Sequence, residues 1–201
     1  MARCYSGCVP IRHPPLRNDL PDLWLVSDER IDACLPRALA RLPRGSGFVF
    51  RHYSLPPKER RERFRILARI ARRRGHLVAL SGTPREAREW RADGVYGAPR
   101  GLARGPAMLR LATAHSLRDL ARANPGRADL MLLSPVFPTR SHPEAAGLGP
   151  IRFRLLAARS KAPVVALGGM NARRARALGV RKWAAIQGLA IAPTTMFPIH
   201  S

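Results

Sequence analysis

Two loops in the second half of the chain hold the residue types best suited to chemistry. The first reads Ser134-Pro135-Val136-Phe137-Pro138-Thr139-Arg140-Ser141-His142, and the second is centred on Gly168-Gly169. Thr139 and Ser141 supply hydroxyls, Arg140 a cation, and His142 an imidazole able to exchange protons near neutral pH. Glycine lets backbone N–H groups come close to an oxyanion. Hydroxyls, a cation and unencumbered N–H groups together suit a phosphate. Upstream, His115 adds a second imidazole. Plainer readings stand beside these: any one glycine can serve a tight turn, and His115 can be a polar group at a helix start.

The elements around these loops say how they would be positioned. Residues 130–133 and 164–167 are short apolar runs bounded by Gly and Pro, the pattern of strands buried on both faces. A helical segment over about 151–160 lies between them, so the unit reads strand, crossover helix, strand, with ligand-binding loops at the carboxyl ends of the strands. The same alternation runs along the chain. Strands are expected at 23–27, 47–52, 76–81, 92–96, 108–114, 130–136, 163–167 and 182–187. Helices are expected at 32–42, from Pro57 to about 74, from Pro84 to about 91, after Ser116 and from 172 to 178. The spacing Thr83-Pro84-Arg85-Glu86 predicts a capping box, and Asn171 a cap for the last of these helices. The stretch 97–107 is too short for a regular helix, so one crossover is degenerate. Residues 188–201 are too broken by proline for a long final helix. Eight strand–helix units can close into a (β/α)8 barrel, and a doubly wound open sheet fits the count equally.

The motif Ser134-Pro-Val-Phe-Pro-Thr-Arg-Ser-His142, followed by Pro163-Val-Val-Ala-Leu-Gly-Gly-Met170, resembles the thiamine phosphate synthase/TenI family. The resemblance covers about residues 23–189 and implies a somewhat degenerate TIM (β/α)8 barrel, with residues 1–22 as an irregular lead-in and 23–201 as the barrel. It also implies a thiazole phosphate held at Gly168, Gly169, Gln187 and Gly188, with Thr113, Thr139 and Ser141 contributing hydroxyls. On the opposite, pyrophosphate-binding side the chain departs from the family pattern. Where the family carries Gln-x-Arg-x-Lys, Val49-Phe50-Arg51-His52-Tyr53 keeps Arg51 alone. The third strand ends Leu80-Ser81 rather than Asn-Asp, and Tyr96-Gly97-Ala98-Pro99-Arg100 lacks the next metal-binding Asp. Magnesium prefers carboxylate oxygens. The resemblance therefore points to a thiazole tautomerase needing no metal or other cofactor, with His142 or His115 moving the proton. The alternatives are a magnesium-dependent synthase with a remodelled pyrophosphate site and a non-catalytic thiazole-phosphate-binding protein. Asp93 and Asp129 are expected to be structural, at the opposite end of the barrel.

Composition limits the partners. The 201 residues are 46% hydrophobic and carry a formal net charge of +23. Such a charge suggests nucleic acid or another anionic surface. Among the basic residues, however, the lysines are Lys58, Lys161 and Lys182 alone. That excess of arginine, with abundant Ala, Gly and Pro, points instead to a GC-rich genome and argues against nucleic acid as the partner. The arginine run of residues 60–74 reads as the solvated face of an outer helix. No segment reaches the ~18 apolar residues of a membrane span, and no secretory leader is recognisable, so a cytoplasmic location and a small phosphorylated thiazole as the partner are expected. Cys4, Cys8 and Cys34 lack the companions of a zinc site. The sequence leaves the oligomeric state open.

Overall fold

The computed structural model describes residues 20–123, 128–139 and 147–190. Its strands are β1 (Leu23–Val26), β2 (Gly47–Phe50), β3 (Leu77–Ser81), β4 (Gly94–Gly97), β5 (Leu109–Ala114), β6 (Leu130–Leu133), β7 (Val164–Ala166) and β8 (Trp183–Ala185). Each pairs in parallel with the next, and β8 pairs with β1 to close the barrel in sequence order. Closure excludes the open doubly wound sheet. The helices are α1 (Leu35–Arg41), α2 (Pro57–Arg73), α3 (Pro84–Glu89), α4 (Pro99–Leu102), α5 (Leu117–Ala123), α6 (Gly149–Ala157), α7 (Ala172–Leu178) and α8 (Gln187–Ala190), with a 3₁₀ segment over Glu29–Cys34. The single turn of α4 is the degenerate crossover expected over 97–107. Helix α6 begins two residues earlier than the sequence suggests.

Strand alternation divides the apolar residues into two clusters. Trp24, Val26, Val49, Ala79, Leu111, Leu130, Leu132 and Val165 pack inside the barrel. Leu25, Phe48, Phe50, Val78, Leu80, Val95, Met131 and Leu133 face outward against the helices. Leu20 reaches the interior cluster from the lead-in, and Pro21 accepts a hydrogen bond from the Trp24 indole at 2.9 Å. Truncating an interior leucine such as Leu132, which is fully buried, removes about 2–5 kcal/mol of stability.

Local signals set the element ends. Thr83 Oγ1 accepts from the Glu86 N–H at 3.1 Å, and Asn171 Oδ1 from the Arg174 N–H at 2.9 Å. Ser116 and Asp119 cap α5 reciprocally. At the amino-terminal ends of the strands, the Asp93 carboxylate accepts from the Val78 N–H and the Asp129 carboxylate from the Arg110 N–H. These are the structural roles expected of the two aspartates. Arg110 is buried with no carboxylate partner for its guanidinium among the described residues; that guanidinium instead donates to the carbonyls of Leu102, Gly105 and Pro106, tying down the connection after α4. Two arginines of α2 depart from the solvated face predicted for them: Arg60 and Arg63 turn inward, their side chains 11% and 23% exposed. Among the described residues no helix is long and apolar enough to cross a membrane.

Candidate active site

The carboxyl ends of β6, β7 and β8 form the first half of the site. Residues 134–139 leave β6 through a cis Ser134–Pro135 bond and lie against the loop after β7. The Val136 N–H donates to Leu167 O at 2.9 Å and the Phe137 N–H to Gly168 O at 3.1 Å. Gly168 and Gly169 are both left-handed, at φ of 94° and 61°. A Cβ on Gly168 would lie 2.6 Å from Pro135 Cα, and one on Gly169 2.7 Å from Pro138 O. Conformation and space therefore both demand glycine here. At Gly188 the limit is space, since a Cβ would fall 2.4 Å from Met170 O.

These turns enclose a pocket of ≈ 240 Å³ lined by Thr139, Gly168, Gly169, Asn171, Arg174, Gln187 and Gly188 among others. Among the described residues, the backbone amides of Gly168, Gly169 and Gly188 donate to no protein acceptor. Arg174 stands at the rim. Its guanidinium donates to Gly169 O and lies 4.8 Å from the Phe137 ring centroid. Unpaired N–H groups beside a guanidinium and a hydroxyl form a receptor for a phosphate dianion. The sequence reading missed Arg174. The available signal was its place three residues after the Asn171 cap, in the first turn of the helix that follows the glycines.

His115 adjoins this pocket through the same loop. Its Nδ1 lies 2.8 Å from Ser134 O and 3.3 Å from Ser134 Oγ. A carbonyl only accepts, so the ring donates from Nδ1 and keeps Nε2 as an acceptor. His115 is exposed, and among the described residues its Nε2 makes no hydrogen bond. Its backbone N–H donates to the Asp119 carboxylate at 3.1 Å. Burial opposes the Asp119 charge, but this bond, together with Ser116, holds its pKa below the usual 3.8. Thr113 points its hydroxyl toward Gly97 O at 3.4 Å and does not line the pocket. Ser141 and His142 lie outside the described residues.

The carboxyl ends of β1 to β4 form the other half, and here side chains bind one another. Tyr53 and Ser81 share a hydrogen bond of 2.5 Å. The Arg51 guanidinium carbon lies 5.5 Å from the Tyr53 ring centroid. Burial pushes the Tyr96 hydroxyl up to about 12, against the pull of the Arg51 charge. Arg60 is the tie across this half. It donates to the carbonyls of Arg51, His52 and Ser81 and to the Glu86 carboxylate at 2.8 Å, and packs over Phe50, Tyr53 and Trp90. Below it, Ser27 Oγ accepts from the Arg51 N–H and shares a hydrogen bond of 3.0 Å with His52 Nδ1, while His52 Nε2–H donates to the Asp32 carboxylate at 2.7 Å. This network holds His52 at a φ of 35°, backbone that a side chain other than glycine's rarely adopts.

A magnesium ion does not fit this half. Ser81, Tyr53 and Arg100 stand where carboxylates or a lysine are expected, and none offers a carboxylate oxygen. The carboxylates nearby are already engaged: Asp28 is 2.7 Å from Arg30, and Asp32 binds both Arg63 and His52. Among the described residues, no group of three His, Cys, Asp or Glu side chains converges as metal ligands would.

Comparison with known proteins adds the lineage. A family model described as thiamine monophosphate synthase matches residues 23–189. The thiamine-phosphate synthase of Pyrococcus furiosus is 27% identical over 168 residues, which span 80% of this chain and 81% of that protein. The putative thiamine-phosphate synthase 2 of Aquifex aeolicus is 41% identical over 59 residues, 29% of this chain and 32% of that protein. Among solved structures, a thiamine phosphate pyrophosphorylase from Pyrococcus furiosus superposes with a TM-score of 0.72 at 27% identity, over 86% of this chain and 88% of its own. A Bacteroides thetaiotaomicron thiamine phosphate pyrophosphorylase, at 15% identity, a TM-score of 0.57 and 89% coverage of both chains, is alike in fold.

Proposed function

This chain belongs to the thiamine monophosphate synthase family, and from that premise we propose that it binds a phosphorylated thiazole at the β7 and β8 loops and acts on it as a tautomerase. The observation that carries the reading is the pocket lined by Gly168, Gly169, Gly188 and Arg174, in which the three glycine amides donate to no acceptor among the described residues. These donors fix the phosphate and with it the ring, which lies toward the barrel mouth. Tautomerisation moves a proton between two positions of one molecule, so it consumes no co-reactant and leaves the net charge unchanged. His115 is suited to it. The Ser134 carbonyl fixes its tautomer, and Nε2 takes the proton from one position and returns it at another. Ser134 connects this base to the phosphate pocket, because Pro135, its neighbour, packs on Gly168. His142 on the same loop is the second candidate for this proton transfer.

A magnesium-dependent synthase would need the second half of the site to hold a pyrophosphate and its metal. Its residues instead bind one another, which favours tautomerisation over coupling. The test is to give purified protein a phosphorylated thiazole and follow the exchange and movement of its proton by NMR, with and without magnesium. In parallel, pyrimidine pyrophosphate is added and thiamine phosphate is measured. Turnover of the thiazole alone, indifferent to magnesium, is expected. Magnesium-dependent formation of thiamine phosphate would overturn the tautomerase reading in favour of a synthase. Calorimetric binding of the phosphorylated thiazole with neither reaction would leave a binding protein.

A further inference from the structure

The outer wall of the barrel carries a second feature that the β7–β8 pocket does not use. Between α2 and α3 run two adjoining clefts of ≈ 1060 and ≈ 490 Å³, joined through Arg65, Trp90 and Arg91. They follow α2 along its length, about 25 Å at 1.5 Å per residue. Arg61, Arg65, Arg69 and Arg73 recur every fourth residue along this helix, so they form one ladder with rungs about 6 Å apart. That spacing is comparable with the separation of successive phosphates along an extended nucleic-acid strand.

Of the acidic residues of the groove, Glu62 alone pairs with a rung of the ladder, Arg65; the other two pair elsewhere. Glu62 pairs with Arg65 at 3.2 Å, Glu86 with Arg60 at 2.8 Å and Glu89 with Arg85 at 3.0 Å. Among the described residues, Arg61, Arg69, Arg73 and Arg91 have no acidic partner. Between them lies Trp90, half-buried, with Arg60 5.1 Å from its ring centroid and its accessible part lining both clefts. A genome-wide preference for arginine accounts for the number of these residues. That preference and the burial of the opposite face of α2 leave unaccounted for a partly exposed indole set among the arginines, its ring packed on Arg60 and Phe64.

We propose that the α2–α3 groove binds single-stranded nucleic acid, its phosphates along the Arg61–Arg73 ladder and a base against Trp90. A positively charged groove with an aromatic side chain is the arrangement by which proteins take up single strands without reading sequence. An acidic protein segment would use the charges but gain nothing comparable from the indole. The other tryptophans, Trp24 and Trp183, are buried, so the fluorescence of this protein under quenching reports on Trp90.

The experiment titrates the full chain with a short fluorescein-labelled oligothymidylate across a range of salt, following anisotropy and tryptophan fluorescence together. Inorganic polyphosphate and polyglutamate serve as competitors. Expected are quenching on binding and an affinity that falls with salt at a log–log slope of about −0.7 per phosphate contacted. The triple variant Arg61→Glu/Arg65→Glu/Arg69→Glu is expected to bind about tenfold or more weakly and to lose about 2 from the slope. The triple glutamine variant at the same positions, which keeps polar helix-forming side chains, should weaken binding in the same direction with an unchanged circular dichroism spectrum. Binding that survives either variant would overturn the proposal, as would an absence of binding at low salt. Polyphosphate or polyglutamate binding as tightly as the oligonucleotide, with no quenching, would overturn the nucleic-acid assignment in favour of plain charge attraction. Because the groove lies outside the thiazole pocket, loss of the tautomerase reading leaves this result unaffected.

Discussion

The two halves of the barrel mouth are built from different material. Around β7 and β8 the pocket is lined largely by backbone, held by glycines whose conformation or surroundings admit no side chain. Around β2 to β4 they are side chains that satisfy one another: Tyr53 with Ser81, Arg60 with three carbonyls and a carboxylate, His52 with Ser27 and Asp32. A site made of backbone survives substitution of its neighbours, since every residue except proline carries the same N–H. A site made of side chains is lost position by position, and the gap closes as new partners bond across it. The contrast teaches that a half built of backbone stays open, while a half built of side chains can close on itself and become structure.

The widest separation between the halves is expected at His115. His115→Gln should lower tautomerase turnover about 10²- to 10⁴-fold while calorimetry finds the affinity for phosphorylated thiazole unchanged. A variant of undiminished turnover would remove His115 from the mechanism. Next comes Gly188→Ala, whose Cβ meets Met170 O at 2.4 Å. The displaced backbone should weaken ligand binding about tenfold to a hundredfold, read by the same titration.

Arg174→Gln should cost about tenfold in affinity for the phosphorylated thiazole, the worth of one charge-assisted hydrogen bond. It should cost little for the dephosphorylated compound. Equal losses for both would place Arg174 on the ring rather than the phosphate. The silent side of the comparison is Tyr53→Phe with Ser81→Ala. Ligand affinity and turnover should stay within about twofold, whereas thermal stability should fall by ~1 kcal/mol as the shared hydrogen bond is lost. A large loss of turnover in either variant would mean that the second half still acts on the ligand.

The smallest effect lies outside both halves, beneath the barrel. Burial holds the His76 imidazole below its usual 6.5, although its Nε2 donates to Leu39 O at 3.0 Å. Its Nδ1 is buried without a partner among the described residues, so a proton there would find no acceptor among them. The unfolded chain takes up that proton more readily than the folded one. The contribution to stability is therefore complete above pH 6.5 and is lost as the pH falls toward the lower folded value. Urea midpoints measured across this range should drop for the native chain and drop less for His76→Leu.

Much of this molecule was legible in the order of its residues. Eight apolar runs bounded by Gly and Pro, and the caps at Thr83, Ser116 and Asn171, are local signals, and they marked strands and helices within a few residues of where they lie. Gly168, Gly169, Gln187 and Gly188 could be grouped through the family resemblance, which places them at the ends of two consecutive strands. Thr139 joins them in one pocket, whereas Thr113 does not line it and Arg51 belongs to the opposite half. What the sequence could not separate was one arginine from another. Arg60, Arg63, Arg110 and Arg174 look the same on the page as the exposed arginines around them. Each owes its role to partners fixed by the fold, such as Glu86 at 26 residues' separation from Arg60 and Asp32 at 31 from Arg63. The reason is physical. Caps, turns and strand periodicity depend on neighbours within a few residues, so sequence alone determines them. The partner of a long, flexible cation is whichever carbonyl, carboxylate or ring the closed barrel brings within reach, and tertiary structure alone decided that.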